Sequence, residues 1–165
     1  WLLLLMISAA FTGSILNRFE SALLAYGVLI AYIPMLMDTG GNAGGQASVT
    51  IIRGLSLNEI EFRDAFSVLW KEIRVALLCG ITLAAANFIK LMLFDRVGMT
   101  VALVVCLTLI AAVLIAKVVG CMLPLLARKI GFDPAVMARP FITNIVDVLS
   151  LLVYFQIAAR FLNIS

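Results

Sequence analysis

Three ionisable side chains stand inside apolar stretches of this 165-residue chain: Asp38, Lys117 and Asp147. An ionisable group near the centre of a membrane-spanning helix costs about 2.5–3.5 kcal/mol by insertion scales, so each calls for a partner or a function. The chain contains no His, which removes the commonest general base and metal ligand. The remaining donors are carboxylate, amide, hydroxyl and backbone oxygens, which hard divalent cations such as Mg²⁺ prefer.

Each aspartate lies on a stripe of polar or small residues. At 100° per residue, the face within about 60° of Asp38 carries Gly41, Asn42 and Gly45. The corresponding face around Asp147 carries Thr143, Asn144, Ser150 and Tyr154. The glycines could simply allow close helix packing, and the polar stripe could be an interhelical hydrogen-bond seam. Asn or Ser would serve a seam at lower cost than an acid, so we interpret the aspartates as functional.

Lys117 has two interpretations. It precedes Arg128 by 11 residues, which places it about 16 Å from that helix end at 1.5 Å per residue, too deep for its ammonium to reach the interface easily. It could form a buried ion pair with Asp38 or Asp147. Alternatively, it could compete with a bound cation. We favour the ion pair.

The composition predicts an all-α integral membrane protein. Hydrophobic residues make up 64% of the chain and charged residues 13%, whereas soluble domains have about 45–50% and about 25%. This excludes a disordered or nucleic-acid-binding chain, and the three cysteines lie in apolar runs as small core residues. The chain does not begin with Met, so we expect an upstream part to be missing. Five transmembrane helices are predicted, over residues 1–16, 23–52, 73–94, 99–127 and 140–162.

The segment between the second and third spans differs from the rest. Ser56 and Glu59 have capping-box spacing, and five apolar residues then recur at helical intervals among charges: Leu57, Phe62, Phe66, Leu69 and Trp70. This pattern predicts an amphipathic helix over about 56–72 that lies along the cytoplasmic membrane surface. The alternative is an ordinary solvated connector.

Positive charges predict the orientation. The second and fourth connections between the predicted spans carry seven Lys and Arg residues: Arg53, Arg63, Lys71, Arg74, Arg128, Lys129 and Arg139. The opposite side of the membrane has four. Since cytoplasmic loops carry the excess of positive charge, the N-terminus is predicted to be cytoplasmic and the C-terminus external.

The stretch Pro-Met-Leu-Met-Asp-Thr-Gly-Gly-Asn-Ala-Gly-Gly-Gln over residues 34–46 closely resembles the second transmembrane helix of the MgtE family of magnesium channels and transporters. Three further segments resemble the family in the same order. Residues 15–20 resemble its first external loop, and residues 120–124 resemble the end of its fourth helix. The fifth helix is resembled by Asp133-Pro134-Ala135 and the following Pro140, Thr143 and Asp147. The resemblance covers nearly the whole chain.

The resemblance implies a homodimer with five spans per subunit and a pore lined mainly by helices two and five. It also implies that Asp147 is the principal ligand of hydrated Mg²⁺, for which Mn²⁺, Co²⁺ or Ni²⁺ would be surrogates. The family's cytoplasmic N domain and paired CBS modules have no counterpart in these residues. Asp38 departs from the family pattern and suggests an added cation site; Arg139 stands at the expected cytoplasmic mouth.

The leading hypothesis is Mg²⁺-preferring divalent-cation transport across the plasma (inner) membrane, without enzymatic activity or a nucleic-acid partner. The expected metal site comprises Asp147, Asp38, Asn42, Thr143 and Asn144. The expected pore-lining or modulating residues are Gly41, Gly45, Gln46, Ser150, Lys117 and Arg139. Two alternatives stay open: a Na⁺- or H⁺-coupled Mg²⁺ exchanger, and a non-conducting membrane anchor.

Overall fold

The computed structural model describes residues 2–19, 26–134 and 139–162, with the backbone alone for Leu4 and Arg139. Five α-helices account for most of these residues: α1 Leu2–Arg18, α2 Ile33–Ser56, α3 Ala65–Lys90, α4 Met99–Lys129 and α5 Arg139–Leu162. A 3₁₀ turn over Gly27–Tyr32 leads into α2, another over Phe62–Asp64 leads into α3, and a π turn over Leu91–Asp95 follows α3. The described residues contain no β-strand, so the predicted all-α class is confirmed.

Three helical stretches within the described residues are long and apolar enough to cross a membrane: Phe62–Leu93, Met99–Lys129 and Pro140–Leu162. The other two helices fall short for different reasons. α1 has 17 residues, fewer than the roughly 20 that a span needs. α2 is longer, with 24 residues, but its polar side chains and glycines lower its hydropathy. The membrane passage of α1 and α2 therefore stays a prediction.

The amphipathic surface helix expected over 56–72 is not a separate element. Ser56 ends α2, where its Oγ donates to the carbonyl of Ile52 at 2.8 Å, and Asn58 has a left-handed backbone with φ 55°. The capping box is built instead by Glu61 and Asp64, ahead of α3. Phe66, Leu69 and Trp70 belong to the first turns of α3, whereas Leu57 and Phe62 lie before it. Apolar residues at helical intervals are found in surface helices and in long buried helices alike.

α4 lies at the centre of the bundle and packs against α2, α3 and α5, while α1 packs against α5. The contact between α4 and α2 is very close, because a Cβ on Gly120 would overlap the carbonyl oxygen of Gly44. α5 lies against the same glycine-rich stretch of α2: a Cβ on Gly40 would be 3.0 Å from Val146 Cγ1. Small residues thus let α5 approach α2 closely, which places the two aspartate stripes side by side.

Candidate functional site

A cavity of about 450 Å³ separates α2 from α5 at the level of the two aspartates. We call it the α2–α5 cavity; it is lined by Ile33, Pro34, Met37, Asp38, Gly41, Asn42, Thr143 and Asp147. Five of these were predicted from the sequence as metal-binding or pore-lining residues. The structure therefore brings most of the two predicted polar stripes to one place.

Asp147 has an incomplete set of partners. Its Oδ1 is buried and has no hydrogen-bond partner among the described residues. Gly41 lies directly opposite: a Cβ there would be 2.7 Å from Thr143 Cγ2 and 3.6 Å from Asp147 Oδ1. Since buried polar atoms in native proteins are nearly always hydrogen-bonded, this oxygen is positioned to accept a ligand.

Asp38 is exposed in the single chain, as is Gln46 two turns further along α2. Asp38 and Asn42 also line a second cavity, of about 390 Å³, between α2, α3 and α4. We call this the α2–α4 cavity; its polar lining comprises Asp38, Thr39, Asn42, Gln46, Cys79 and Lys117. Asp38 thus lies between two polar spaces.

The expectation that Lys117 pairs with Asp38 or Asp147 is wrong. Its Nζ lies 3.1 Å from Glu72 Oε2, and both side chains are 13% exposed. The predicted surface helix over 56–72 includes Glu72 and would place it outside the bundle, away from Lys117. Because α3 begins at Ala65 and packs along α4, Glu72 lies inside the bundle. The sequence signal that could have found it is an acid two residues from Arg74 at the start of an apolar helix.

Other predicted residues lie outside the α2–α5 cavity. Asn144 faces α1, in a cavity that it shares with Thr143. Ser150 is buried against Gly40, a Cβ on which would lie 3.1 Å from its Oγ. Gly45 is buried in α2. The side chain of Arg139 lies outside the described residues.

Tyr154 has a structural role: its hydroxyl donates to the carbonyl of Leu29 at 3.0 Å, which ties α5 to the turn before α2.

The donor set suits an ion that keeps its water. Within the described residues, no three or more His, Cys, Asp and Glu side chains come together as a metal cluster. Two carboxylates, an amide and a hydroxyl line the α2–α5 cavity instead. Mg²⁺ dehydrates reluctantly and is typically bound by one or two carboxylates with several retained waters. The lining therefore suits a hydrated Mg²⁺-like ion better than an ion that is coordinated by protein ligands alone.

The helical bundle and its oxygen-lined cavity define an all-α membrane protein with a polar space between closely packed helices. Residues 33–157 match the MgtE family, described as a divalent cation transporter. The chain belongs to the MgtE family.

Curated relatives agree with this assignment. The chain is 39% identical over 169 residues to "Magnesium transporter MgtE" of Thermus thermophilus. It is 31% identical over 163 residues to the protein of the same name from Bacillus subtilis, and 28% over 163 residues to that from Enterococcus faecalis. Each alignment covers 99% of this chain and 36% of the relative, so the chain spans about a third of the length of these relatives.

Proposed function

We propose that this chain forms the ion path of a divalent-cation transporter that prefers Mg²⁺, with Asp147 as its principal ion-attracting residue. The observation that carries the proposal is the buried Oδ1 of Asp147, which has no hydrogen-bond partner among the described residues and lies in a cavity that Asp38 and Asn42 also line. A scaffold would gain nothing from an acid left without a partner in the bundle, because Asn or Ser could make the same packing contacts at lower cost. The family's description as a divalent cation transporter supports a divalent cation, and the name of the relatives, magnesium transporter, supports Mg²⁺.

The size of the cavity supports a hydrated ion. A water molecule occupies about 30 Å³ in the liquid, so six waters around an ion need about 180 Å³. The α2–α5 cavity, at about 450 Å³, has room for such a shell. In this proposal the carboxylate of Asp147 accepts hydrogen bonds from the ion's waters, and Asn42 and Thr143 supply polar groups beside it. Asp38 supplies the facing negative charge.

We extend the proposal to a homodimer whose pore is lined by α2 and α5. Asp38 and Gln46 are exposed on α2 in the single chain, and an acid in hydrocarbon is costly. A second copy against this face would place these side chains along a shared water-filled path. The distribution of Lys and Arg supports a plasma-membrane orientation with a cytoplasmic N-terminus and an external C-terminus.

The test is Mg²⁺ uptake by cells that lack their own Mg²⁺ transporters and express the full-length protein. We expect Asp147→Ala to abolish rescue of growth at low Mg²⁺ and Asp38→Ala to weaken it. Asp95→Asn is the matched control, because this aspartate lies in the turn after α3, away from both cavities. Full rescue by Asp147→Ala at normal protein levels would overturn the proposal.

Two measurements separate the alternatives. Flux into liposomes down a Mg²⁺ gradient alone supports a channel, whereas flux that needs an opposing Na⁺ or pH gradient would support an exchanger. Replacement of both aspartates by Asn, with unchanged uptake and unchanged stabilisation by Mg²⁺, would favour an anchor.

A further inference from the structure

The Glu72–Lys117 ion pair lies outside the lining of the α2–α5 cavity. Its charged atoms are 3.1 Å apart, and it links the first half of α3 to the middle of α4. Both side chains are mostly buried, so the pair cannot be treated as a weak surface contact. Burying two charges has a desolvation cost that often exceeds the gain, and apolar residues could fill the same space. The pair therefore calls for a reason other than stability.

Lys117 borders the space that contains Asp38. Both residues line the α2–α4 cavity, and among its described lining residues Asp38 is the acidic one and Lys117 the basic one. The Lys117 ammonium is thus paired with Glu72, and a second carboxylate, that of Asp38, lines the same cavity. A lysine has a flexible four-carbon stem and behaves as a mobile point charge. Loss of Glu72 would leave Asp38 as its remaining acidic neighbour in the cavity.

We propose that Glu72 is a positioning residue that holds the ammonium of Lys117 away from Asp38 and so keeps the Asp38 carboxylate available to the transported cation. The inference rests on the proposed function, because it assumes that a cation interacts with Asp38. An ammonium bound to Asp38 would neutralise the carboxylate, and its own positive charge would repel an incoming divalent ion. Lys117 thus competes with the cation for the Asp38 carboxylate when it is not paired with Glu72.

The test is the dependence of uptake on Mg²⁺ concentration, measured for the full-length protein in liposomes. Glu72→Gln removes the charge with little change in size. We expect it to raise the half-saturating Mg²⁺ concentration about tenfold, which corresponds to about 1.4 kcal/mol, while maximal uptake is retained because high Mg²⁺ displaces the ammonium. Glu61→Gln is the matched control: Glu61 pairs with Arg63 at 3.0 Å, but both side chains are well exposed.

Removal of the competitor tests the mechanism further. The double variant Glu72→Gln/Lys117→Met should restore the half-saturating concentration, and Lys117→Met alone should not raise it. In an Asp38→Asn background, Glu72→Gln should cause no further increase, because the carboxylate for which Lys117 competes is gone. These results together support the inference.

A merely structural ion pair gives a different pattern. Glu72→Gln and Lys117→Met would then both lower maximal uptake and protein yield, with half-saturation unchanged. That pattern overturns the inference. A raised half-saturating Mg²⁺ concentration in Lys117→Met also overturns it, and this variant can be measured even if Glu72→Gln does not fold. The proposed function fails separately: its failure is normal uptake in Asp147→Ala, whereas wild-type behaviour of Glu72→Gln leaves the requirement for Asp147 intact.

Discussion

Asp95 and Asp147 carry the same carboxylate in opposite surroundings. Asp95, in the turn after α3, lies 2.6 Å from Lys90 Nζ and accepts a hydrogen bond from the Tyr32 hydroxyl at 3.0 Å. Asp147, in the helix bundle, keeps a buried Oδ1 with no hydrogen-bond partner among the described residues. The carboxylate of Asp95 is therefore bound by protein side chains, whereas that of Asp147 has an oxygen that no described residue binds. The comparison separates an aspartate that has protein partners from one that we propose is available to an ion.

The largest expected effect comes from neutralising each aspartate in turn. Asp147→Asn should lower Mg²⁺ uptake about ten- to 100-fold, because interactions with a charged group contribute about 1.5–3 kcal/mol. It should not lower the thermal unfolding temperature in detergent, since the lost oxygen has no partner. Asp95→Asn should show the reverse, with normal uptake and a lower unfolding temperature. Equal loss of stability in both variants would erase the distinction.

Gly41 and Gly98 test whether the space beside the Asp147 carboxylate is needed for Mg²⁺ uptake and stability. Gly41→Ala places a Cβ 2.7 Å from Thr143 Cγ2, so we expect a destabilisation of about 1–3 kcal/mol from overpacking and a partial loss of uptake. Gly98→Ala is the control near Asp95: a Cβ there meets nothing within 4 Å, and the backbone φ is −61°. Because the substitution restricts the unfolded chain but Gly98 is the N-cap of α4, where Gly is preferred to Ala, stability should change by no more than about 1 kcal/mol. Unfolding in detergent and Mg²⁺ uptake measure both effects, and a Gly41→Ala protein with wild-type properties would contradict the close approach.

The pH dependence of stability should identify Asp95 as a structural carboxylate. The hydrogen bond from Lys90 is the main cause that lowers the pKa of Asp95 below its ordinary 3.8. A carboxylate whose pKa is lower in the folded state stabilises the protein above its unfolded pKa, and that contribution is lost as the pH falls through the folded pKa. Unfolding temperatures between neutral and acidic pH should therefore fall less for Asp95→Asn than for the wild type. Parallel curves for the two proteins would show that the Asp95 pair does not contribute.

The smallest effect is expected at Ser150, whose buried Oγ also has no hydrogen-bond partner among the described residues. Ser150→Ala removes the polar atom and keeps the Cβ, so stability should stay within about 0.5 kcal/mol of the wild type or rise slightly. Mg²⁺ uptake should be unchanged, because Ser150 packs against Gly40 outside the lining of the α2–α5 cavity. A clear loss of uptake would mean that Ser150 belongs with Asp147 after all.

Much of the lining of the α2–α5 cavity could be predicted from the sequence. Asp38, Asn42 and Asp147 stand out because polar atoms in apolar helices are rare. Helical spacing also predicts that Gly41 and Thr143 lie beside the two aspartates, and both line the cavity. The start of α3 could not be predicted, since apolar residues at helical intervals are common to surface helices and spanning helices. That error hid Glu72 and led to the wrong partner for Lys117. Asn144 and Ser150 share a helix face with Asp147 but contact different neighbours, a difference that depends on where α1 and α2 lie.

The sequence by itself determined that this chain is helical, belongs in a membrane and carries two acids within apolar stretches, because hydropathy and helical period are local properties. Only the tertiary structure decided which of the charged residues meet. Because α5 packs against the glycines of α2, Asp147 faces a cavity. Because α3 packs along α4, Lys117 forms its ion pair with Glu72. Such pairings depend on helix packing distances and directions, which no single helix specifies.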